Sequence, residues 1–369
     1  MIPYLFSPVL FTLVNAIPAM RQLHTIRLSV ISLPRTYLYG ILSSPYLTHL
    51  ILDAIQLPKI SKPPLSPPKL RKLTIKAMYS WGAIEPLISQ LATSLEYLEL
   101  QACQFRAPGR FQLPPFPHLR ELRYDQNYFG LYGNMTVLNA LLHVSQVSHL
   151  RLFGYIALLR IDASLKSLQH LSVDNEMLSE GVFRANQFPR LMSLSIRFSP
   201  SERYQPWQSH LTLSSFLHNH FPGITSLRLD IPWSLRNFAV VLARAQHSVQ
   251  ALELSIVTGH GLDWEEGKLR TYEVEIPTDY FGTGVLPAVL RSIRLDVVQT
   301  FHQLEDSVSV CTRWIDDNIL PSVAGLGGPD LKCIDVSFVQ PEDGTERERV
   351  ISKRWIKSPD EDWQLEKCL

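Results

Sequence analysis

Cysteine is scarce. The 369 residues hold four, Cys103, Cys311, Cys333 and Cys368, and no two are spaced closely enough for a metal-binding or redox pair. The paired cysteines that cap extracellular scaffolds are missing, which points to a reducing compartment, cytoplasmic or nuclear. Charge of one sign is equally short. Thirty-five basic side chains face 34 acidic ones, a net charge of +1, so no bulk field recommends nucleic acid or an acidic membrane as partner. Local catalytic motifs are absent too: there is no Gly-x-Ser-x-Gly, no Cys-x-x-Cys and no phosphate-binding loop. Gly259, Gly261, Gly282 and Gly284 read as loop glycines without the Lys-Ser/Thr that a phosphate cradle needs. His302, Glu305 and Asp306 lie close together but do not match a two-histidine metal helix, and a solvated turn explains them. The expectation is a non-enzyme with no catalytic residues, no metal and no cofactor. A hydrolase built from His302, Asp306 and Asp317 is the rival that this reading sets aside.

The first twenty residues carry no charged side chain, Arg21 being the first. A targeting or anchoring segment would want basic residues ahead of its apolar run. Here none precedes it, and Pro3, Pro8, Asn15 and Pro18 interrupt it. Residues 1–20 are therefore read as an apolar cap segment, and no membrane partner is expected.

What the chain does have is one phrase repeated about a dozen times, an apolar residue at the first, fourth and sixth places of six. The clearest copies are Leu95-Leu98-Leu100, Leu119-Leu122-Tyr124, Leu168-Leu171-Val173 and Leu191-Leu194-Ile196. Others begin at Leu23, Leu47, Leu70, Val147, Ile224, Val249, Leu290 and Leu331, and most steps between copies are 21 to 28 residues. Such a period marks a solenoid of stacked units, whose core grows along one axis and is not limited to the size of a single closed core. Places four and six differ by two and so share one face of a strand. Between phrases the apolar spacing often turns helical, as at Tyr37, Leu38, Ile41 and Leu42; Ile84, Leu87, Ile88 and Leu91; Val137, Leu138, Leu141 and Leu142; and Leu235, Phe238, Val241 and Leu242. Strand, turn and helix, repeated in one hand, predict an α/β solenoid with a parallel sheet inside and helices outside.

The phrase resembles that of the leucine-rich repeat family, L-x-x-L-x-L-x-x-N/C, and two copies carry the ninth residue, Leu95 to Cys103 and Leu119 to Asn127. In that family the ninth side chain closes the turn after the strand by bonding free backbone groups. Ile55 and Tyr155 stand at that place in other copies, so irregular turns are expected. The resemblance covers roughly residues 20 to 340 and implies a horseshoe with the parallel sheet on its concave face and helices on its convex face. It divides the chain into the cap at 1–20, an array of about twelve irregular repeats at 21–340, and a charged cap or tail at 341–369. Within the tail, Val350, Trp355, Ile356 and Trp363 suit covering the last repeat.

Uneven repeat lengths and phrases such as FPHLRELRY and FPRLMSLSI look most like the repeat region of fungal F-box-type proteins. That likeness implies a substrate receptor of a ubiquitin ligase, with a possible cullin-type ligase adaptor as second partner. No F-box is recognisable. Leu33, Pro34, Leu38, Ile41 and Leu42 echo its opening but sit between two repeat phrases and read as the outer helix of the first repeat. The alternative is a stand-alone leucine-rich scaffold or inhibitor with no ligase link.

Binding is expected on the exposed side of the sheet, by a monomer. The residues between places four and six form one lane: Arg27, Ile51, Thr74, Glu99, Arg123, Arg151, Ser172, Ser195, Arg228, Glu253, Arg294 and Asp335. The lane beside it carries His49, Lys72, Tyr97, Glu121, His149 and His170. Arginine and tyrosine are favoured interface anchors, so Arg27, Lys72, Tyr97, Glu99, Arg123, Arg151, Arg228 and Arg294 are the candidate contacts for a protein partner. The plainer reading is that charges on an open face keep it wetted. Three long intervals add loop candidates: Arg203, Tyr204 and Trp207; Trp264, Tyr272, Tyr280 and Phe281; and Trp314, for which helical core packing is the better reading, beside Asp316 and Asp317.

Overall fold

The computed structural model describes residues 12, 14–29, 32–55, 57, 69–77, 81–103, 113–125, 135–154, 161, 165–178, 183, 187–198, 217, 219–232, 248–257, 264–265, 268–269, 289–298, 330–341, 347–358 and 363–368. Each apolar phrase becomes a strand. In chain order these are β1 (Thr25–Ser29), β2 (His49–Asp53), β3 (Lys72–Lys76), β4 (Tyr97–Gln101), β5 (Glu121–Asp125), β6 (His149–Phe153), β7 (His170–Asp174), β8 (Ser193–Arg197), β9 (Ser226–Pro232) and β10 (Ala251–Val257). A small antiparallel ladder of β11 (Trp264–Glu265) and β12 (Lys268–Leu269) follows. The phrase then resumes with β13 (Ser292–Val298) and β14 (Cys333–Pro341). The charged C-terminal stretch forms β15 (Arg347–Lys357) and β16 (Trp363–Cys368).

All but β11 and β12 belong to one mostly parallel sheet of fourteen strands whose order follows the chain. The pairings of β15 with β14 and β16 are antiparallel, so the charged stretch is laid along the last repeat strand. The chain divides into two compact units, residues 1–171 with 181–183 and residues 172–180 with 184–369.

In the first unit the core is what the phrase dictates. From the second copy onward every apolar place through Leu171 is buried, with Leu50, Leu52, Leu73, Ile75 and Leu98 at 0% exposure. The first copy is different: Ile26 and Leu28 on the edge strand β1 are only half-buried. Among the described residues three helices lie between the strands: α1 (Arg35–Leu42) after β1, α2 (Trp81–Leu91) after β3 and α3 (Met135–His143) after β5. Their i, i+3, i+4, i+7 residues are buried as the spacing predicts, among them Leu38, Ile41, Ile84, Leu87, Ile88, Leu91, Val137, Leu138 and Leu141, all at 0% exposure. The fourth helical stretch, Leu235 to Leu242, lies outside the described residues. Val14 and Ile17 are buried as well, and Gly40 on α1 admits the chain there: a Cβ at that position would lie 3.1 Å from Val14 Cγ1. No described helix is long and apolar enough to cross a membrane.

A recurring set of bonds stitches one repeat to the next. The carbonyl before most of the strands accepts two successive N–H groups of the following repeat, as at His24 O from Thr48 and His49 and at Arg71 O from Glu96 and Tyr97. A carbonyl has two lone pairs, so both donors are satisfied at once. Just ahead of the phrase, Ser94 and Ser167 donate their hydroxyls to the carbonyls of Leu70 and Val147, the first apolar residues of the preceding repeats. After β2, β3 and β4 the chain turns through Ala54, Ala77 and Ala102, each at a φ near +51°, and their N–H groups bond to Lys76 O, Gln101 O and Asp125 O of the next repeat. The left-handed region costs an L-residue roughly 1–2 kcal/mol. Gly154, at φ 97°, holds the same place after β6 without that cost. Beyond Ala102, the Cys103 thiol lies 3.5 Å from Ile75 O and 3.4 Å from Gln101 O, the turn-closing contact expected of the ninth residue. Asn127 and Tyr155 lie outside the described residues.

The second unit keeps the phrase but lengthens the strands. Its apolar places are buried apart from the half-buried Leu254. Ser248 repeats the hydroxyl link, to Ile224 O, and Thr225, Gln250, Arg291 and Lys332 open the paired N–H contacts. Strands β9, β10 and β13 run seven residues where those of the first unit run five. On the face away from the leucines a row of buried polar groups, Ser255, Asp296, Ser337 and Ser352, stands in register across β10, β13, β14 and β15.

Candidate functional site on the outward face of the sheet

Parallel register puts the two lanes where the alternation of the phrase places them. In the first unit Arg27, Ile51, Thr74, Glu99, Arg123 and Arg151 are successive Cα partners across β1 to β6. His49, Lys72, Tyr97, Glu121 and His149 run beside them across β2 to β6. In the second unit Ser195, Arg228, Glu253, Arg294 and Asp335 align the same way. Arg354, contributed by β15, extends that row.

The centre of the first unit's row is a buried carboxylate. Glu99 is 6% exposed although it projects from the outward face. Tyr97 Oη donates to its Oε2 at 2.8 Å, and Thr74 Oγ1 donates to the same oxygen at 3.3 Å. Arg123 Nε lies 3.3 Å from Oε1 without forming a hydrogen bond, so that contact is held by charge alone, and the guanidinium also sits 5.8 Å over the Phe153 ring. Burial, with the Glu99 charge, pushes the Tyr97 phenol well above its ordinary range and keeps it a donor.

His49 Nε2 is 3.4 Å from Thr74 Oγ1. Because the threonine proton points at Glu99, the imidazole must donate, and no base is aimed at that hydroxyl. The arrangement positions side chains and lacks the polarity of a nucleophile and its base. Burial and the neighbouring Lys72 hold the His49 pKa below its usual value.

Around this centre lie accessible cations. Arg27 is paired with Asp53 at 2.9 Å and Arg151 with Glu121 at 3.5 Å, yet their side chains are 61% and 47% exposed. Lys72 is exposed and has no ion pair among the described residues. Glu99 itself cannot reach a partner; it supports Tyr97 and Arg123, which are half-buried.

Arginines of the second unit are clamped more fully. Arg228 donates to Asp230 and Glu253, both at 3.2 Å. Burial opposes its charge, but those two carboxylates outweigh it and raise its pKa. Arg294 donates to Asp296 at 3.0 Å and lies 3.7 Å from Glu253. Arg354 forms a two-pronged pair with Asp335 at 2.8 and 3.0 Å, and Arg197 does the same with Asp174 at 2.6 and 3.0 Å. Burial and Asp335 push the Cys333 thiol up, which leaves it a poor nucleophile. Neither Arg197 nor Arg354 was a sequence candidate; the signal for Arg197 was an arginine directly after place six, opposite an aspartate at the same place in the preceding phrase.

The described residues contain no group of three or more metal-ligating side chains. Arg203, Tyr204, Trp207, Tyr272, Tyr280, Phe281, His302, Glu305, Asp306, Trp314, Asp316, Asp317 and the four loop glycines lie outside the described residues, and Trp264 is described only as backbone in β11. A scan against family models finds no match for the chain, and a search of curated proteins finds none either.

Proposed function

We propose that the chain is a protein-recognition module of the leucine-rich repeat kind, binding a protein partner on the outward face of its sheet. The observation that supports this reading is the first unit's row. Long polar side chains stand in register on successive strands, fixed at their centre by the Glu99 network and flanked by the accessible cations Arg27, Lys72 and Arg151. Anchors held in place before binding lose less freedom on binding. Their sign favours an acidic segment on the partner. By resemblance to F-box-type proteins we further propose a substrate-receptor role that presents this partner to a cullin-type ligase, in the cytoplasm or nucleus.

Affinity purification of the tagged full chain, beside a variant carrying Arg27→Glu, Lys72→Glu and Arg151→Glu, tests the proposal. Loss of one protein from the variant supports the recognition face, and ligase subunits in both samples support the receptor role. A partner recovered without ligase subunits replaces that role with a stand-alone scaffold or inhibitor. Identical lists from the two samples overturn the recognition face.

A further inference from the structure

In the first unit the places just ahead of each strand form a rim along the N-terminal ends of the strands, and the charge on it alternates. Ahead of β1, β3, β5 and β7 stand Arg21, Lys69 with Arg71, Arg120 and Lys166, all exposed. Ahead of β2, β4 and β6 the matching places hold no lysine or arginine. Those three strands follow α1, α2 and α3, whose last turns are closed by the hydroxyls of Ser43, Ser94 and Ser145 donating to Gly40 O, Leu91 O and Leu141 O. Small hydroxyl residues therefore occupy the rim at alternate strands, and basic residues take it at the others. Glu96 is the one acid among the described rim residues and lies 3.7 Å from Arg71. Arg21, Lys69, Arg120 and Lys166 have no ion pair among the described residues. The backbone beneath them is fixed, because each of His24 O, Thr48 O, Arg71 O, Glu96 O, Arg120 O and Ser148 O accepts two N–H groups of the next repeat.

We infer that this rim binds an extended acidic segment of a protein, with a carboxylate at every third residue. Neighbouring strands lie about 4.7–4.9 Å apart, so cations on alternate strands recur about every 9.4–9.8 Å. A polyproline II chain advances about 3.1 Å per residue with three residues per turn, and so returns the same face about every 9.3 Å. A segment in β conformation presents one face about every 6.8 Å and falls out of step. A helix docks through an apolar face, and from Gln22 to Gln169 the described residues expose no large apolar side chain. Single-stranded nucleic acid seeks aromatic platforms between the cations. Tyr46, half-buried, is the one tyrosine, tryptophan or phenylalanine among the described rim residues. The polyproline II form needs no backbone partner, since its own polar groups stay in water, and the exposed cations supply the contact. The rim is distinct from the row on the outward face, and the inference does not rest on the recognition proposed for that row.

The test is fluorescence anisotropy of a labelled (Glu-Pro-Pro)5 peptide titrated with the full chain at about 50 mM salt, where exposed charges are weakly screened. Expected is saturable binding that weakens as salt rises, and an affinity about tenfold lower in the Lys69→Glu, Arg120→Glu, Lys166→Glu variant. Circular dichroism checks that each variant is folded, and Lys69→Gln, Arg120→Gln, Lys166→Gln takes the place of the reversed variant if that one is not. No binding up to about 1 mM, or unchanged affinity in a folded rim variant, overturns the site. An equal or greater loss in the outward-face variant Arg27→Glu, Lys72→Glu, Arg151→Glu overturns the assignment to the rim. A peptide of the same composition with its glutamates in one block should bind more weakly, and equal affinity overturns the three-residue spacing. Tighter binding of an oligouridylate of equal charge overturns the protein segment in favour of nucleic acid.

Discussion

The two units carry the same apolar phrase and treat its outward side chains differently. In the first, strands stop after five residues because the next residue turns left-handed, at Ala54, Ala77 and Ala102. Arg27 and Arg151 have Ser29 and Phe153 two places further along their own strands and reach across to Asp53 and Glu121, while Arg123, with Asp125 at that place, lies against Glu99. In the second, Asp230 and Asp296, the fifth residues of β9 and β13, stand two residues after Arg228 and Arg294 on the same face. Each arginine is thus held by its own strand and by Glu253 between them. An acid two residues along the strand, with Glu253 alongside, thus neutralises Arg228 and Arg294 in place, whereas Arg27 and Arg151 of the first unit keep more exposed side chains.

The largest effect that sharpens this contrast is the removal of a shared carboxylate in each unit. Glu99→Ala leaves Arg123 largely buried without its counter-charge and deprives Tyr97 and Thr74 of their acceptor. Urea unfolding should show a loss of about 3 kcal/mol, the low end for breaking a buried pair. Glu253→Ala leaves Asp230 and Asp296 in place, and its pairs are about a third exposed, so about 1 kcal/mol or less is expected. Equal losses would show that the two rows are held in the same way.

Smaller, and opposite in sign, is relief of the left-handed turns. Ala77→Gly and Ala102→Gly remove a Cβ from a φ of 51° and should each raise stability by about 0.5–1 kcal/mol, the strain relieved less the entropy that glycine adds to the unfolded chain. A loss on thermal or urea unfolding would mean that the methyl groups pack well enough to outweigh the strain. Arg151→Ala, an exposed pair, should change stability by less than about 0.5 kcal/mol while still weakening partner capture.

These differences show where sequence reasoning reached and where it stopped. Leucine spacing located the strands of all twelve phrases, and period two put the lane residues on one face, because alternation along a strand leaves them nowhere else. Helices α1 to α3 were legible from their apolar spacing for the same reason. The burial of Glu99 was not legible: an outward position says which way a side chain leaves the backbone and nothing of whether Tyr97, Thr74 and Arg123 close over it. The left-handed alanines carry no glycine to announce them. Ser94, Ser167 and Ser248, each directly before a phrase, were a readable signal that passed unread. Strands β15 and β16 contain no apolar phrase, and their tryptophans suggested docking without revealing antiparallel pairing. The clamping of Arg228 and Arg294 was a readable signal that passed unread, since Asp230 and Asp296 follow them by two residues on the same face of the strand.

Acidity should also separate the units, by the smallest of these effects. His49 and His170, both in the first unit, have pKa values held below 6.5, His49 by burial and Lys72, His170 by burial and His149. A depressed folded-state value means that the unfolded chain binds protons first as pH falls. Stability is then fully present above about pH 6.5 and declines as pH drops through that value toward the lower folded ones, a positive slope of unfolding free energy with pH. In His49→Gln, His170→Gln the slope between about pH 7 and 5 should flatten for probes that report on the first unit, such as amide exchange in β3 and β6. Probes in β9 and β13 should not respond. A flattened slope in both sets of strands would mean that the units lose their structure together, and the contrast between their outward faces would then concern recognition alone.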